Sequence, residues 1–189
     1  MNGSNGLWRR ERLLAMSWET CGGALARLLA EVKASGFRPD VLVGVCRGGL
    51  PLLTYFANAW STRAVACLSV TRNLQAGPFS ERVAAHLDWF APETNIEGKT
   101  ILVLDDIAGD GGTLSLVGSV LGEKGARDVR SAVLVRNERC RVQPDYFVFR
   151  VDDWVIFPWE PRPSSGAEIT VEELRLPSPA MDAGIKTKC

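Results

Sequence analysis

The sequence predicts an α/β fold in which a mostly parallel central sheet is flanked by helices on both faces. Two observations carry this prediction. Short apolar runs recur along the chain, and helical patterns or glycine-rich loops separate them. Such alternation needs crossover connections, which give parallel strands covered by helices. With 189 residues, 46% hydrophobic and 23% charged, the chain has the size and composition of one globular domain.

The predicted strands are short runs with the β-branched or aromatic content of buried strands. They are VLVGVC (41–46), AVACLSVT (64–71), TILVLDD (100–106), SAVLVR (131–136), YFVFRV (146–151) and WVIFP (154–158).

Three helices are predicted between these strands from the spacing of apolar residues and from capping residues. The first runs over 17–35, with Ser17 as its cap and Gly36 ending it. The second has Pro51 in its first turn and reaches Trp60. The third covers 112–124 and ends at Gly125.

The rest of the chain has weaker patterns. Residues 1–16 are expected to be a loose lead-in, with Met16 as an alternative start, and 17–160 to be the folded domain. The proline-, serine- and glutamate-rich segment 161–189 is expected to be an extended tail or an arm across a neighbour. The stretch 72–98 is expected to be a loop with one helix at 80–90, acting as a lid over the site.

Composition excludes several classes of function. Lysine plus arginine and aspartate plus glutamate both number 22, so there is no basic excess for nucleic acid or a membrane surface. His86 is the single histidine, which excludes zinc sites built on paired histidines. The five cysteines include no CxxC pair, and no apolar run has the length of a signal peptide or a membrane span. We therefore expect reduced thiols and a cytoplasmic location.

The most informative segment is ILVLDDIAGDGGTL (101–114). Its apolar run delivers Asp105 and Asp106 to the carboxyl end of a strand, where ligands bind in open α/β sheets. The glycines that follow allow backbone N–H groups to converge on an anion, the helix N-terminus adds positive potential, and Thr113 adds a hydroxyl. This chemistry suits a ribose 5-phosphate. A polar turn after a strand explains the same residues equally well when the motif is taken alone.

The same segment resembles the motif that binds 5-phosphoribosyl-1-pyrophosphate (PRPP) in type I phosphoribosyltransferases. VGVCRGGLP (43–51) is similar to the pyrophosphate loop of that family. PDYFVFRVDDWVIFPWE (144–160) is similar to the C-terminal stretch of its purine branch. The three segments occur in the family order, so the resemblance implies this fold, with a small C-terminal hood, and transfer of a phosphoribosyl group from PRPP with Mg²⁺.

The resemblance also implies roles for individual residues. Asp105 and Asp106 would hold the ribose hydroxyls directly or through Mg²⁺, and Glu160 would ligate a second metal. The loop that binds PRPP through its 5-phosphate would comprise Ala108, Gly109, Asp110, Gly111, Gly112 and Thr113. The pyrophosphate would contact Arg47, Gly48, Gly49 and Arg72. The acceptor would contact Arg136, stack on Trp154 and bond to the backbone of Val155. A homodimer or tetramer is also implied.

Three positions depart from the family pattern. Gly109 stands where enzymes acting on 6-oxopurines carry an aspartate, and Asp110 stands where threonine contacts the phosphate. Asp110 is therefore expected either to turn away from the phosphate or to act as the catalytic base. Arg136 replaces a lysine that reads the acceptor. Arg72 and Arg136 are equally well explained as solvated charges. The acceptor is expected to be a purine-like base or an unusual nucleophile, and a non-catalytic PRPP or nucleotide sensor is the competing prediction.

Overall fold

Nine strands and three helices are present in the computed structural model, which describes residues 7–8, 11–73, 82–91, 95–161 and 170–177. The strands are β1 (Arg12–Ala15), β2 (Val41–Cys46), β3 (Val65–Asn73), β4 (Arg82–Ala91), β5 (Thr100–Ala108), β6 (Asp128–Asn137), β7 (Tyr146–Val151), β8 (Trp154–Ile156) and β9 (Thr170–Glu173). The helices are α1 (Trp18–Ala34), α2 (Gly49–Ala59) and α3 (Gly112–Glu123).

The central sheet has the strand order β4-β3-β2-β5-β6-β7. All its neighbouring pairs are parallel except β3 and β4, which are antiparallel. The predicted mostly parallel sheet is therefore confirmed. Because β2 and β5 are direct neighbours, the carboxyl ends of these two strands lie side by side, and the loops that follow them share one edge of the sheet.

Helices cover both faces of this sheet. On one face, α1 and α2 bury Leu28 and Phe56 in a cluster that includes Leu104 of β5. On the other face, α3 buries Val117 in a cluster that includes Val103 of β5. Adjacent residues of β5 thus pack into opposite cores. This explains why the run ILVL (101–104) of this strand is apolar without interruption.

The predicted helix ends agree with the structure. The Ser17 hydroxyl accepts a hydrogen bond from the Thr20 N–H at 3.0 Å and caps α1. Gly36 and Gly125, which follow α1 and α3, have φ angles of +76° and +83°, and glycine adopts this left-handed region without strain.

A second, smaller sheet corrects the prediction of a loose lead-in over residues 11–16. Its order is β8-β1-β9, with both pairs parallel. Leu13, Leu14 and Met16 are buried, and the Met16 N–H donates to the Ile156 carbonyl at 2.9 Å. The WVIFP run thus belongs to this sheet and not to the central one. Four residues carry too little local pattern to predict β1, and its partners lie more than 130 residues away along the chain.

The tail prediction for 161–189 also needs correction over residues 170–177. β9 pairs with β1, and the Leu174 N–H donates to the Ala15 carbonyl at 2.8 Å. Arg27 of α1 donates to the Pro177 carbonyl at 3.0 Å. This part of the tail therefore packs against its own domain. Residues 162–169 and 178–189 lie outside the described residues.

The predicted helix at 80–90 is wrong, because residues 82–91 form the edge strand β4. Val83, Ala85 and Leu87 are half-buried, whereas the residues between them are exposed, which is the two-residue period of a strand. Arg72, expected in a loop, lies in β3. Residues 74–81 and 92–94 lie outside the described residues, so the lid stays a prediction.

No helix in the part of the chain that the structure describes is long and apolar enough to span a bilayer.

Candidate functional site

The acidic pair lies in the second half of β5, at the carboxyl-end edge of the central sheet. Asp105 is buried, and its Oδ1 accepts a hydrogen bond from the Asp106 N–H at 2.9 Å. The Asp106 side chain is half-buried. The sequence does not distinguish the two carboxylates, whereas in the structure Asp105 accepts a hydrogen bond from the backbone N–H of its neighbour.

The loop Arg47-Gly48-Gly49 joins β2 to α2 and packs against the end of β5. The peptide bond between Cys46 and Arg47 is cis. A β-carbon on Gly48 would stand 1.7 Å from Asp106 Oδ2, and one on Gly49 would stand 2.2 Å from the Leu104 carbonyl oxygen. Gly49 therefore requires glycine, because a larger residue would overlap the backbone of β5, whereas a larger residue at Gly48 would displace the Asp106 carboxylate. The structure thus brings together the predicted pyrophosphate loop and Asp106.

Charges from three segments of the chain meet beside Asp106. Burial, together with the nearby Glu160 carboxylate, raises the pKa of Asp106 to about 7. Although Glu160 is exposed overall, partial desolvation of its carboxyl raises its pKa, and the Arg47 cation partly opposes this rise. Glu160 is further tied by a hydrogen bond from the Phe157 N–H at 3.0 Å. The end of the chain segment after β8 therefore lies close to the loop after β2 and to β5.

These carboxylates are of the chemical type that binds a magnesium ion. Mg²⁺ prefers oxygen ligands and is typically held by one or two carboxylates together with substrate phosphates and water. Within the described residues there is no cluster of three or more acidic, histidine or cysteine side chains arranged as a metal site. The negative charges of Asp106 and Glu160 repel each other. A divalent cation that is bound together with a phosphate ligand would stabilise this pair.

The glycine-rich loop connects β5 to α3. Ala108 and Gly109 are buried, and Thr113 is half-buried in the first turn of α3. Gly111 has a φ angle of +85°, and a β-carbon there would stand 2.6 Å from the Val142 carbonyl oxygen. The positive φ at Gly111 is the backbone conformation for which glycine was expected in this loop.

Asp110 and Arg72 form an ion pair across this loop. Arg72 also donates from Nη1 to the Val83 carbonyl at 2.8 Å, so it is held between β4 and the loop. The second carboxylate oxygen of Asp110 accepts a hydrogen bond from the Gly112 N–H at 2.9 Å. Arg72, predicted to contact pyrophosphate, therefore lies at the predicted 5-phosphate loop. The assignment of Asp110 as catalytic base stays a prediction.

Arg136 lies near the carboxyl end of β6 and pairs in register with Ala108 of β5. Its guanidinium carbon lies 5.1 Å from the centre of the Phe147 ring. Its Nε is buried and has no hydrogen-bond partner within the described residues. Burial, and secondarily the charge of Arg150, lowers the pKa of Arg136 from its ordinary value. Arg136 is therefore a partly desolvated cation beside the glycine-rich loop and not a solvated surface charge.

Trp154 and Val155 begin β8 in the small sheet. Val155 is buried, and the Trp154 ring meets the Trp8 ring edge-on, with centroids 5.3 Å apart. Trp8 is buried, and the Asn137 side chain donates to the neighbouring Leu7 carbonyl at 3.1 Å. Sequence reasoning missed this contact of the N-terminal segment with Trp154 of β8. A tryptophan within a polar lead-in was the only local signal of it.

Comparisons with known proteins decide the family. The family model of the phosphoribosyl transferase domain matches residues 17–165. The chain belongs to this family. The matched residues contain the acidic pair, both glycine loops and β8, and the expected type I phosphoribosyltransferase fold is confirmed.

Individual relatives of this phosphoribosyltransferase-family chain carry different names. The crystal structure of a purine phosphoribosyltransferase from Pyrococcus horikoshii is 25% identical, with a TM-score of 0.70 over 82% of this chain and 99% of that one. A Helicobacter pylori xanthine-guanine-hypoxanthine phosphoribosyltransferase shares the fold at 24% identity, with a TM-score of 0.66 over 79% of this chain and 93% of that one. An orotate phosphoribosyltransferase of Sulfurisphaera tokodaii is 28% identical over 67% of this chain, but the match spans only 58% of that protein's length.

Proposed function

We propose that this protein transfers the 5-phosphoribosyl group of PRPP to a purine-like base or another small acceptor, with release of pyrophosphate. One observation carries the proposal: the Gly48 backbone lies directly against the Asp106 carboxylate. The two segments whose sequences resemble the pyrophosphate and ribose sites thus form one continuous surface at the carboxyl-end edge of the sheet. Family membership supports the same reaction class.

In the proposed reaction, the bond from C1 of the ribose to the pyrophosphate oxygen breaks, a bond from C1 to the acceptor forms, and the acceptor releases its proton to water or to the leaving pyrophosphate. Mg²⁺, when bound, would neutralise negative charge on the leaving pyrophosphate. Asp106 and Glu160 would hold it. The Arg47 cation and the amides of Gly48 and Gly49 would bind the pyrophosphate itself.

The remaining residues would hold the sugar phosphate and the acceptor. Asp105 and Asp106 would orient the ribose hydroxyls, and the amides of residues 111–113 would bind the 5-phosphate at the start of α3. On the other side, Arg136 would donate to a carbonyl or acidic group of the acceptor, and Trp154 would contact its ring. The names of the relatives include both purine and orotate enzymes, so they support an aromatic nitrogen acceptor without choosing between the two.

A second function is favoured by the contacts of Asp110. Its carboxylate is bonded to Arg72 and to the Gly112 N–H, and Gly109 offers no carboxylate in its place. A protein that binds PRPP or a nucleotide without catalysis would tolerate this arrangement. A Neisseria gonorrhoeae protein whose crystal structure contains ppGpp has the same fold, with a TM-score of 0.65 over 81% of this chain and 92% of that one at 15% identity.

Pyrophosphate release tests the two functions directly. The full chain is mixed with PRPP, Mg²⁺ and a panel of purines, orotate and small amines, and thermal denaturation reports PRPP binding. We expect release with at least one acceptor, and we expect Asp106→Asn to abolish it. Asp128→Asn is the matched control, because Asp128 is a partly exposed carboxylate at the start of β6, where it pairs with Arg130 at the opposite end of the sheet from the site. Stabilisation by PRPP without release from any acceptor would favour the regulator, and no stabilisation at all would refute both functions.

The predicted homodimer or tetramer, the cytoplasmic location and the absence of nucleic-acid and membrane partners belong to this proposal. Light scattering of the purified chain tests the oligomeric state.

A further inference from the structure

The carboxylate of Asp110 already binds groups that the loop between β5 and α3 would offer to a phosphate. One of its oxygens accepts the Gly112 N–H at 2.9 Å, at the first residue of α3. The other oxygen is paired with the Arg72 guanidinium. A backbone N–H at a helix N-terminus and an arginine are both preferred ligands of phosphate oxygens. Asp110 therefore bonds to these groups as a bound anion would.

The surrounding chain holds this arrangement in place. The Asp110 carbonyl accepts a hydrogen bond from the Arg141 N–H at 3.1 Å. A β-carbon on Gly112 would stand 2.9 Å from the guanidinium carbon of Arg72, so Arg72 lies directly over the start of α3. Arg72 is itself mostly buried, with 14% of its side chain exposed, and is bonded to the Val83 carbonyl. The Arg72 charge is thus fixed at the loop by β3 and β4.

We propose that Asp110 is an internal competitor for the 5-phosphate and sets the affinity of the loop for it. The inference rests on the proposed function, since it assumes that this loop receives the 5-phosphate of PRPP. For the phosphate to accept the Gly112 N–H, the Asp110 carboxylate has to leave that N–H, and its negative charge stays close to the phosphate. The Arg72 cation is then shared between two anions and is not available to the phosphate alone.

Two consequences distinguish this role from that of an ordinary loop residue. Removing the charge of Asp110 strengthens binding at the loop, although most substitutions in a binding site weaken it. The gain is confined to ligands that carry a phosphate, because the competition is for an anion position. Asp110 then makes the affinity of the loop depend on the charge of the ligand, and in this sense it determines specificity.

The test compares ribose 5-phosphate with ribose as probes of the full chain, by isothermal titration calorimetry. Asp110→Asn keeps the shape of the side chain and removes its charge, and Asp110→Ala removes the competing oxygens as well. We expect both variants to bind ribose 5-phosphate more tightly by about 10-fold or more, since the repulsion between two close charges at surface-like screening exceeds the energy of a tenfold change in affinity. Binding of ribose should not change. Asp128→Asn, which removes the same charge at the opposite end of the sheet, should leave both affinities unchanged.

Thermal denaturation of each variant first confirms that it is folded. Unchanged or weaker binding of ribose 5-phosphate by both folded variants would overturn the inference, and so would an equal gain for ribose. Failure of the inference is distinct from failure of the proposed function. A wild-type chain that releases pyrophosphate while Asp110→Asn gains no affinity refutes only the competitor role. Tighter ribose 5-phosphate binding without release from any acceptor supports the competitor role and refutes the transferase.

Discussion

Gly48 and Asp106 are in such close contact that a β-carbon at residue 48 would stand 1.7 Å from the Asp106 Oδ2 atom. This contact joins the loop after β2 to the strand β5, which are more than 50 residues apart in the chain. It fixes the position of the Arg47 loop relative to the acidic pair, and the proposed site depends on it.

Gly48→Ala is therefore expected to displace either Asp106 or the Arg47 loop. The φ angle of Gly48 is −65°, which alanine also adopts, so the effect comes from the clash and not from backbone strain. We expect stability to fall by about 1–3 kcal/mol, as for other overpacked sites. Pyrophosphate release should fall at least about tenfold, because small displacements of reacting groups have large effects on rate. Urea denaturation and the release assay measure the two effects.

Gly22→Ala provides the matched control. Gly22 is exposed within α1, and a β-carbon there would meet no atom within 4 Å. Alanine in a helix interior is more stable than glycine by about 0.5–1 kcal/mol, so this variant should gain stability and keep its activity. A loss of activity in both variants would show that glycine replacement in general, and not the contact with Asp106, is responsible.

Arg136→Met is expected to stabilise the fold while weakening acceptor binding. Arg136 is partly desolvated and is near the like charge of Arg150, and its Nε lacks a hydrogen bond within the described residues. A buried donor without a hydrogen bond costs about 1–3 kcal/mol, so its replacement by an apolar residue of similar size should raise the free energy of unfolding by about 1 kcal/mol. The KM of the acceptor should rise while that of PRPP stays unchanged. A loss of stability without any change in the acceptor KM would contradict the assignment.

Trp8→Ala tests whether the N-terminal segment is an integral part of the domain. Trp8 has 7% of its surface exposed, whereas Trp18 has 65%. We expect Trp8→Ala to lower stability by about 3 kcal/mol, as for other buried aromatic residues. Trp18→Ala should change it by less than about 1 kcal/mol. Urea denaturation of both variants gives the comparison, and equal losses would contradict the burial of Trp8.

The thiol of Cys21 predicts a dependence of stability on alkaline pH. Cys21 of α1 is 1% exposed, and burial raises its pKa from 9.0 to about 11. Between these two values the unfolded chain loses the thiol proton while the folded chain keeps it. The contribution of Cys21 to stability is therefore fully present below pH 9 and falls by at most about 2 kcal/mol as the pH rises toward 11.

Urea denaturation from pH 8 to 10.5 measures this fall. Cys21→Ala should show a smaller decrease over the same range, because it lacks the titrating group. Identical pH profiles of the two chains would rule out the contribution from Cys21. In the folded chain at pH 8, iodoacetamide should leave Cys21 unmodified, since the reagent requires an accessible thiolate.

Local sequence patterns predicted the framework of the central sheet and the residue types of the site. The strands β2, β5, β6 and β7 and the helices α1 and α3 each have a local pattern of apolar residues and ends marked by glycine or serine. Such patterns act over a few residues, so they can be read without knowledge of the fold. The acidic pair and the two glycine loops were identified in the same way, aided by resemblance to a family.

Tertiary structure alone decided the features that depend on distant partners. β1 is only four residues long and is stable because β8 and β9 flank it. The sequence of β4 predicts a helix, because its two-residue alternation is weak. Pairing with β3 makes this segment a strand. Arg72 and Asp110 are 38 residues apart, and no local pattern predicts that the cation from β3 reaches the start of α3. Local sequence sets which groups are available, whereas packing between distant segments sets which of those groups meet.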